Sequence, residues 1–336
     1  MYVATAGELV AVTSELRWAT RLVDRAVGGA LAPVPPPDDW TVSDSPDRPT
    51  VLLQVESERR AFDRFGLRPV TRGAYADEAG EHVLLEDCGG SGWDLLVAVG
   101  QALTVTARYR PGRQARLANR ALRQRFALLT GQVLVHYPVL WRASWRARVP
   151  LHVSVLSGQS GTPMLAGPGG VGKSTVLRTA LAAGAVATAD NLCCTDGAVC
   201  YGLAEPLRTD ATGGAGGAKG PATSHGRVEE PFASRVPALV PDRVVVLQRG
   251  PRTSVQRGTA ELAAATLAGG TYAAGELRRY WQFAATLGLA TGRVPAHPPV
   301  AEVADVYAQR LPCLRVRVGD GDVLPFGVLC GTEVAA

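Results

Sequence analysis

Apolar residues in this chain come in short blocks whose spacing changes along its length. Between residues 151 and 247 the blocks are a few residues long and alternate with glycine-rich turns or with stretches carrying apolar positions at helical spacing, the texture of an α/β fold. Strands are predicted over 151–156, 163–166, 185–189 and 243–247, and helices over 174–183, which ends at Gly184, and over 260–289. Nearer the start the pattern is mixed. Residues 1–30 predict an amphipathic helix, with Leu9, Val10, Leu16, Ala19, Leu22 and Val23 near one face. A proline-rich and polar stretch from Pro33 to Pro49 predicts a linker. Strands follow at 51–55 and 82–85, with turns at Gly73 and Gly80, a loop at 89–92, and helices over 94–103 and 114–129. The expected organisation is a mixed α/β region over 1–130, suited to substrate or partner recognition, followed by an α/β nucleotide-binding domain over 131–336. The run 211–220 (ATGGAGGAKG) predicts either a lid or a plain surface loop.

Inside the second region lies Ala166-Gly167-Pro168-Gly169-Gly170-Val171-Gly172-Lys173-Ser174-Thr175, which fits G-x-x-x-x-G-K-[ST]. It uses one of only two lysines in the chain, the other being Lys219. Glycines let successive backbone N–H groups point inward at a polyphosphate, and the following helix adds a favourable dipole. Gly167, Gly169, Gly170, Val171, Gly172, Lys173, Ser174 and Thr175 are therefore the expected phosphate-binding residues. Lys173 is expected to reach the β- and γ-phosphates of ATP, and the Ser174 hydroxyl to complete the coordination of Mg²⁺.

Composition narrows the partners. Of 336 residues, 46% are hydrophobic and 19% charged, enough apolar content for a sizeable core. No uncharged apolar stretch is long enough for a membrane span, and residues 1–27 lack the basic start and unbroken apolar block of a secretory signal, so a cytoplasmic protein is expected. The six cysteines are scattered or vicinal and predict reduced thiols; Cys193, Cys194 and Cys200 fit either a buried apolar cluster or metal ligands. The net charge of +5 hides an asymmetry, because no Asp or Glu lies between Asp94 and Asp190, an interval holding Lys173 and eleven arginines. Seven of these (Arg108, Arg110, Arg113, Arg116, Arg120, Arg123 and Arg125) crowd one segment. The segment is a solvated face, a surface for phosphate or an acidic partner, or a nucleic-acid surface, the last with no recognition motif or aromatic stacking pattern to favour it.

Two polar residues stand out around the loop. Asp190, followed by Asn191, ends the strand after the loop's helix, where a carboxylate is placed to hold a metal through water or to accept a proton. His152 lies in an apolar strand joined to the loop's strand by the turn Gly158-Gln159-Ser160-Gly161.

The order Leu151-His152-Val153-Ser154, turn, AGPGGVGKST, helix, Ala189-Asp190-Asn191, then Tyr201-Gly202-Leu203-Ala204-Glu205-Pro206-Leu207-Arg208 resembles the HPr kinase/phosphorylase superfamily. It is most similar to the shorter HPr-kinase-like serine kinases that occur with peptide-modification genes. His225-Gly226-Arg227, Pro241-Asp242-Arg243-Val244-Val245-Val246-Leu247-Gln248-Arg249-Gly250 and Leu311-Pro312-Cys313-Leu314-Arg315-Val316 extend the resemblance, which covers about residues 131–318. It implies a fold like that of phosphoenolpyruvate carboxykinase, ATP and Mg²⁺ as cofactors, phosphorylation of a serine-type hydroxyl, and self-association. It further implies that Asp190 is general base and that His152 sits against it. Arg208 and Arg227 would contact phosphate, with Ser174, Asp190 and Glu205 near the metal.

Two departures bear on the substrate: Asn191 stands where true HPr kinases carry a second aspartate, and their Glu-x-Arg-Gly stretch is missing. The expected acceptor is therefore a Ser or Thr of a peptide or a free hydroxy amino acid, not the carrier HPr, with a weakened reverse reaction. Two other readings remain open at this point: a nucleotide-binding regulator or scaffold that transfers nothing, and a nucleic-acid-associated ATPase.

Overall fold

The computed structural model describes residues 1–35, 48–210, 221, 223, 226–232, 234–319, 321–322 and 324–331. Much of the expected linker, the glycine-rich run 211–220 with Lys219, and His225 lie outside the described residues. The chain is a mixed α/β protein, with helices on several mixed sheets.

The first sheet uses β1 (Tyr2–Thr5), β2 (Glu8–Ser14), β3 (Val51–Glu56), β4 (Arg68–Thr71), β5 (Ala74–Ala76), β6 (His82–Leu85), β7 (Trp93–Val99) and β8 (Leu103–Tyr109), in the order β1-β2-β3-β8-β7-β6-β5-β4. The helix expected over 1–30 is confined to α1 (Arg17–Ala26). Upstream, Ala6 and Gly7 both take positive φ and turn β1 back on β2 as an antiparallel hairpin. The apolar positions of 2–12 satisfy both periods, and the β-branched Val3, Val10 and Val12 go to the sheet core. The helix expected over 94–103 is likewise the strand β7: Trp93, Leu95, Val97 and Val99 are all buried at a period of two.

After β8 come α2 (Arg113–Ala121) and α3 (Arg123–Gly131), separated at Leu122, whose φ/ψ of −110°/59° is not helical. α3 continues through a π-helical turn, Gln132–His136, into α4 (Tyr137–Ser144). Position 130, where the two expected regions meet, falls inside this helical run. Gly131 lies where α3 crosses α1, and a Cβ there would come within 2.3 Å of Ala26 Cβ. Almost every residue from Leu129 to Ala143 is buried, because the first sheet covers one side of the run and later parts of the chain cover the other.

The remaining strands are β9 (Val149–Leu151), β10 (Ser154–Ser157), β11 (Pro163–Ala166), β12 (Val186–Ala187), β13 (Cys193–Thr195), β14 (Cys200–Gly202), β15 (Leu207–Asp210), β16 (Arg227–Glu230), β17 (Ala238–Leu239), β18 (Arg243–Arg249), β19 (Ser254–Arg257) and β20 (Cys313–Val318). The helices are α5 (Lys173–Ala182), α6 (Ala260–Tyr272), α7 (Tyr280–Thr291), α8 (Val300–Arg310) and α9 (Phe326–Leu329). A six-stranded sheet, β12-β10-β11-β18-β20-β19, has parallel β11, β18 and β20 at its centre. Its two faces are covered by α6 and α8 on one side and by α5 and α9 on the other. A four-stranded antiparallel sheet, β17-β14-β13-β9, and the hairpin β15-β16 complete the fold.

Three expectations need correction here. The strand expected over 151–156 is two strands in different sheets, parted at His152 and Val153. That expected over 185–189 shrinks to Val186–Ala187, freeing Thr188 to Asp190 to turn toward the glycine loop. The helix expected over 260–289 breaks after Tyr272 and resumes at Tyr280, with a 3₁₀ turn, Gly275–Leu277, between.

Several ties bind the early and late parts of the chain. From α7, Tyr280, Phe283, Ala284 and Leu287 share the core of the first sheet. The Ala6 N–H donates to the Gly202 carbonyl at 2.8 Å, and Ala204 N–H to Thr5 Oγ1 at 2.7 Å. Glu8 is wholly buried, its carboxylate 3.5 Å from Arg146 Nε, 3.6 Å from Arg148 Nη1 and 3.9 Å from Arg142 Nη1. Arg148 also lies over the Tyr201 ring, 4.1 Å from its centroid. No helix among the described residues is long and apolar enough to cross a membrane.

Candidate active site

Buried β11 delivers the chain into the loop 167–172, and α5 leaves it. Two glycines are required for different reasons. A Cβ on Gly167 would meet the Leu247 carbonyl oxygen at 2.8 Å, so only glycine lets the loop hug β18. Gly172 caps α5 with φ 108°, in the left-handed region that favours glycine. Val171 is buried beside Val176 and Leu177 and anchors the loop, whereas Cβ atoms built on Gly169, Gly170 and Gly172 would meet nothing within 4 Å. The amides of these three glycines find no hydrogen-bond acceptor among the described residues. Lys173 curls back across the loop, its Nζ donating to the Gly167 carbonyl at 2.8 Å and the Pro168 carbonyl at 3.3 Å. Burial pushes the ammonium down to about 8; Asp190 and Glu276 oppose that shift, and Arg227 adds to it.

Asp190 is completely buried and faces the first turn of α5. Ser154 Oγ donates to its main-chain carbonyl. Its Oδ2 accepts from Asn191 Nδ2 and from the Arg208 backbone N–H, each at 3.1 Å, while Oδ1 has no completed hydrogen bond to any of the described residues. Burial raises the carboxyl above its ordinary value, against the pull of the Ser174 hydroxyl, the Arg208 N–H and the charges of Arg208 and Arg227. Ser174 and Asp190, far apart in the sequence, are thus brought together. The hairpin β15-β16 supplies both arginines, Arg208 facing Glu229 and Arg227 facing Asp210 in its register.

Glu205, expected near the metal, engages the main chain and Arg208. Its Oε1 accepts from the N–H groups of Asn191 (2.8 Å) and Leu192 (3.3 Å), so it holds the chain just after Asp190, and Oε2 lies 3.7 Å from Arg208 Nη2. Burial pushes Glu205 up to about 7, opposed by Arg208 and reinforced by Asp190. Among the described residues, no group of three or more His, Cys, Asp or Glu is placed to hold a metal ion. The oxygens suited to a hard cation are those of Ser174 and Asp190. Cys193, Cys194 and Cys200 are buried thiols, Cys194 and Cys200 pushed up to about 12 by burial, and the packing reading fits them.

His152 joins the same buried group without a hydrogen bond to Asp190. Its backbone N–H donates to Thr271 Oγ1 at 3.0 Å, and its ring meets the Gly270 carbonyl and leaves Nδ1 unpartnered. Burial, then the charge of Lys173, pushes the imidazole down to about 4, so it is neutral at pH 7. Its acidic neighbour is Glu276, a residue with no distinguishing local pattern, which comes from the 3₁₀ turn and accepts from Arg208 Nη1 at 3.0 Å. Burial is the largest influence on Glu276 and opposes its ionisation, but Arg208, a backbone N–H and the other nearby positive charge together outweigh it and hold the carboxyl below its ordinary value. The π-helical turn also reaches this group: Gln132, His136 and Tyr137 line an enclosed void of about 10 Å³ with Glu205, Arg208 and Glu276. Such turns occur disproportionately at functional sites.

The arrangement is an open cradle of backbone N–H donors and one lysine, with a buried carboxylate oxygen left unsatisfied beside it. No protein-family model matches this chain, and no curated protein matches it significantly.

Proposed function

We propose that the chain is an ATP-dependent kinase of the P-loop, HPr-kinase-like kind, transferring the γ-phosphoryl group to the hydroxyl of a serine or threonine in a peptide or of a free hydroxy amino acid. The observation that carries this reading is the unsatisfied Oδ1 of Asp190, buried against Ser174 at the mouth of the glycine loop. A buried carboxylate oxygen without a hydrogen-bond partner costs stability, and such cost is retained where a ligand uses the atom.

In this mechanism the amides of the loop and the Lys173 ammonium hold the terminal phosphates. Asp190 Oδ1 accepts the proton of the acceptor hydroxyl as its oxygen bonds to the γ-phosphorus and the bond from that phosphorus to the β-phosphate oxygen breaks. The Arg208 N–H and Asn191 Nδ2 fix Oδ2 so that Oδ1 points outward. The Ser174 hydroxyl and Asp190 have the chemistry to hold Mg²⁺, which when bound neutralises charge on the phosphates. Neutral His152 lends no proton; it adds no positive charge beside Lys173, and its backbone N–H is tied to α6 through Thr271.

The test is incubation of the full chain with Mg²⁺, γ-phosphate-labelled ATP, and free serine or serine- and threonine-containing peptides. Label on the acceptor and matching ADP release support a kinase. ATP binding with neither would replace it by the regulator reading.

A pH dependence follows from Lys173. It is charged below about 8 and loses its charge above, and only the charged form attracts phosphate. We expect kcat/KM for ATP to fall about tenfold per pH unit above roughly pH 8, because this parameter reports the free enzyme. The limb in kcat is expected at higher pH, since bound phosphates raise the lysine. Steady-state rates across this range check it, and a flat kcat/KM to about pH 10 would show that burial does not lower the Lys173 ammonium in the free protein.

A further inference from the structure

The seven crowded arginines do not form one face. Arg108 is taken up by Glu56 at 2.6 Å, and Arg110 by Asp94 and by the Arg59 carbonyl at 3.0 Å. Arg116 and Arg120, one turn apart on α2, instead open onto a cavity of about 500 Å³ with Arg59 and Arg110. Tyr109 and Phe126 wall it. Both rings belong to an aromatic cluster with Trp18 and Trp93, with centroids 5.1–6.1 Å apart. At the back, buried Asn119 Nδ2 donates to Ser91 O and to Tyr109 Oη, each at 3.1 Å, which fixes the tyrosine.

Among the described residues no carboxylate pairs with Arg59, Arg116 or Arg120. Three uncompensated guanidinium groups therefore share one concavity of the volume that ligand sites have. Their mutual repulsion is relieved by an anion, and the planar fork of arginine matches a carboxylate in bidentate fashion.

We propose that this cavity is a binding site for an acidic peptide segment, which places two or three carboxylates on Arg59, Arg116 and Arg120 and apolar side chains beside them. The apolar part is argued from the cavity's own walls, Tyr109, Pro111 and Phe126, which lie among these arginines. Single-stranded nucleic acid is bound on open aromatic platforms along a basic track. Here the rings of Tyr109 and Phe126 are half-buried in their cluster, with Tyr109 tied down by Asn119, and the neighbouring Arg108 is already neutralised. The site goes beyond the kinase reading and does not depend on it.

The experiment is fluorescence anisotropy of a fluorescein-labelled six-residue peptide of alternating glutamate and leucine. Its glutamine counterpart and a six-nucleotide oligodeoxythymidylate serve as competitors, and the change in total tryptophan emission, to which Trp18 and Trp93 of the cluster contribute, is an independent readout. The glutamate peptide is expected to bind with an affinity that falls steeply with salt, and at least about tenfold in a double variant, Arg116→Ala with Arg120→Ala. Both side chains are exposed and make no hydrogen bond to the described residues, so the variant is expected to keep its unfolding midpoint, and circular dichroism verifies that. Equal binding by wild type and double variant, tighter binding of the oligonucleotide, or no binding up to about 1 mM peptide would each overturn the proposal.

Discussion

Replacing Asp190 by asparagine is expected to lower kcat by about 10²- to 10⁴-fold while ATP affinity stays nearly unchanged. The substitution keeps shape and removes only charge and basicity. The new side-chain carbonyl can still accept from the Arg208 N–H and Asn191 Nδ2, which now hold Oδ2, so the local fold has no reason to change. The amide NH₂ then occupies the place of Oδ1, beside Ser174, where an incoming hydroxyl would meet a donor instead of a base. Nucleotide binding rests mainly on the loop amides and Lys173, which the variant leaves in place. Single-turnover rates and a direct ATP titration separate the two quantities, and undiminished turnover would remove Asp190 from the mechanism.

A second large effect is expected far from that site. Glu8→Ala is expected to destabilise the protein by about 3–5 kcal/mol, because it removes the one buried carboxylate that the charges of Arg142, Arg146 and Arg148 share. At 3.5–3.9 Å these contacts are longer than hydrogen bonds, so the carboxylate acts chiefly through its charge, at the centre of three guanidinium groups. Glu8→Gln, which keeps the volume and loses the charge, is expected to account for most of the loss. Urea denaturation of the three proteins measures it, and a loss below about 1 kcal/mol in both variants would show that the cluster is no keystone.

Much of the candidate site was legible because its residues sit in one local pattern. The loop, its buried lysine, the helix ending at Gly184 and the strands at 51–55, 82–85 and 163–166 each carry their own spacing and punctuation. Asp190 was legible through its place after the strand. What failed depended on partners. Residues 2–12 and 94–99 satisfy either period, and only the neighbouring strands decide which applies. A break inside an apolar run such as 273–279 leaves little mark when both flanking helices are alanine-rich. Glu276 reaches Arg208 across 68 positions and Glu205 engages the amides of Asn191 and Leu192, so their tasks are properties of the assembled chain. The arginine segment showed its charge in the sequence but not its sorting into neutralised and uncompensated members.

The crossing of α7 onto the first sheet sets how this protein can be divided. A fragment ending near residue 130 leaves its sheet without Tyr280, Phe283 and Leu287, and the complementary fragment carries those same rings and chains bare to water. Each would also lose one side of the Ala6–Gly202 and Thr5–Ala204 bonds. Half-length versions are thus poor vehicles for assigning activities to one end or the other, and point substitutions in the intact polypeptide are the means suited to that task.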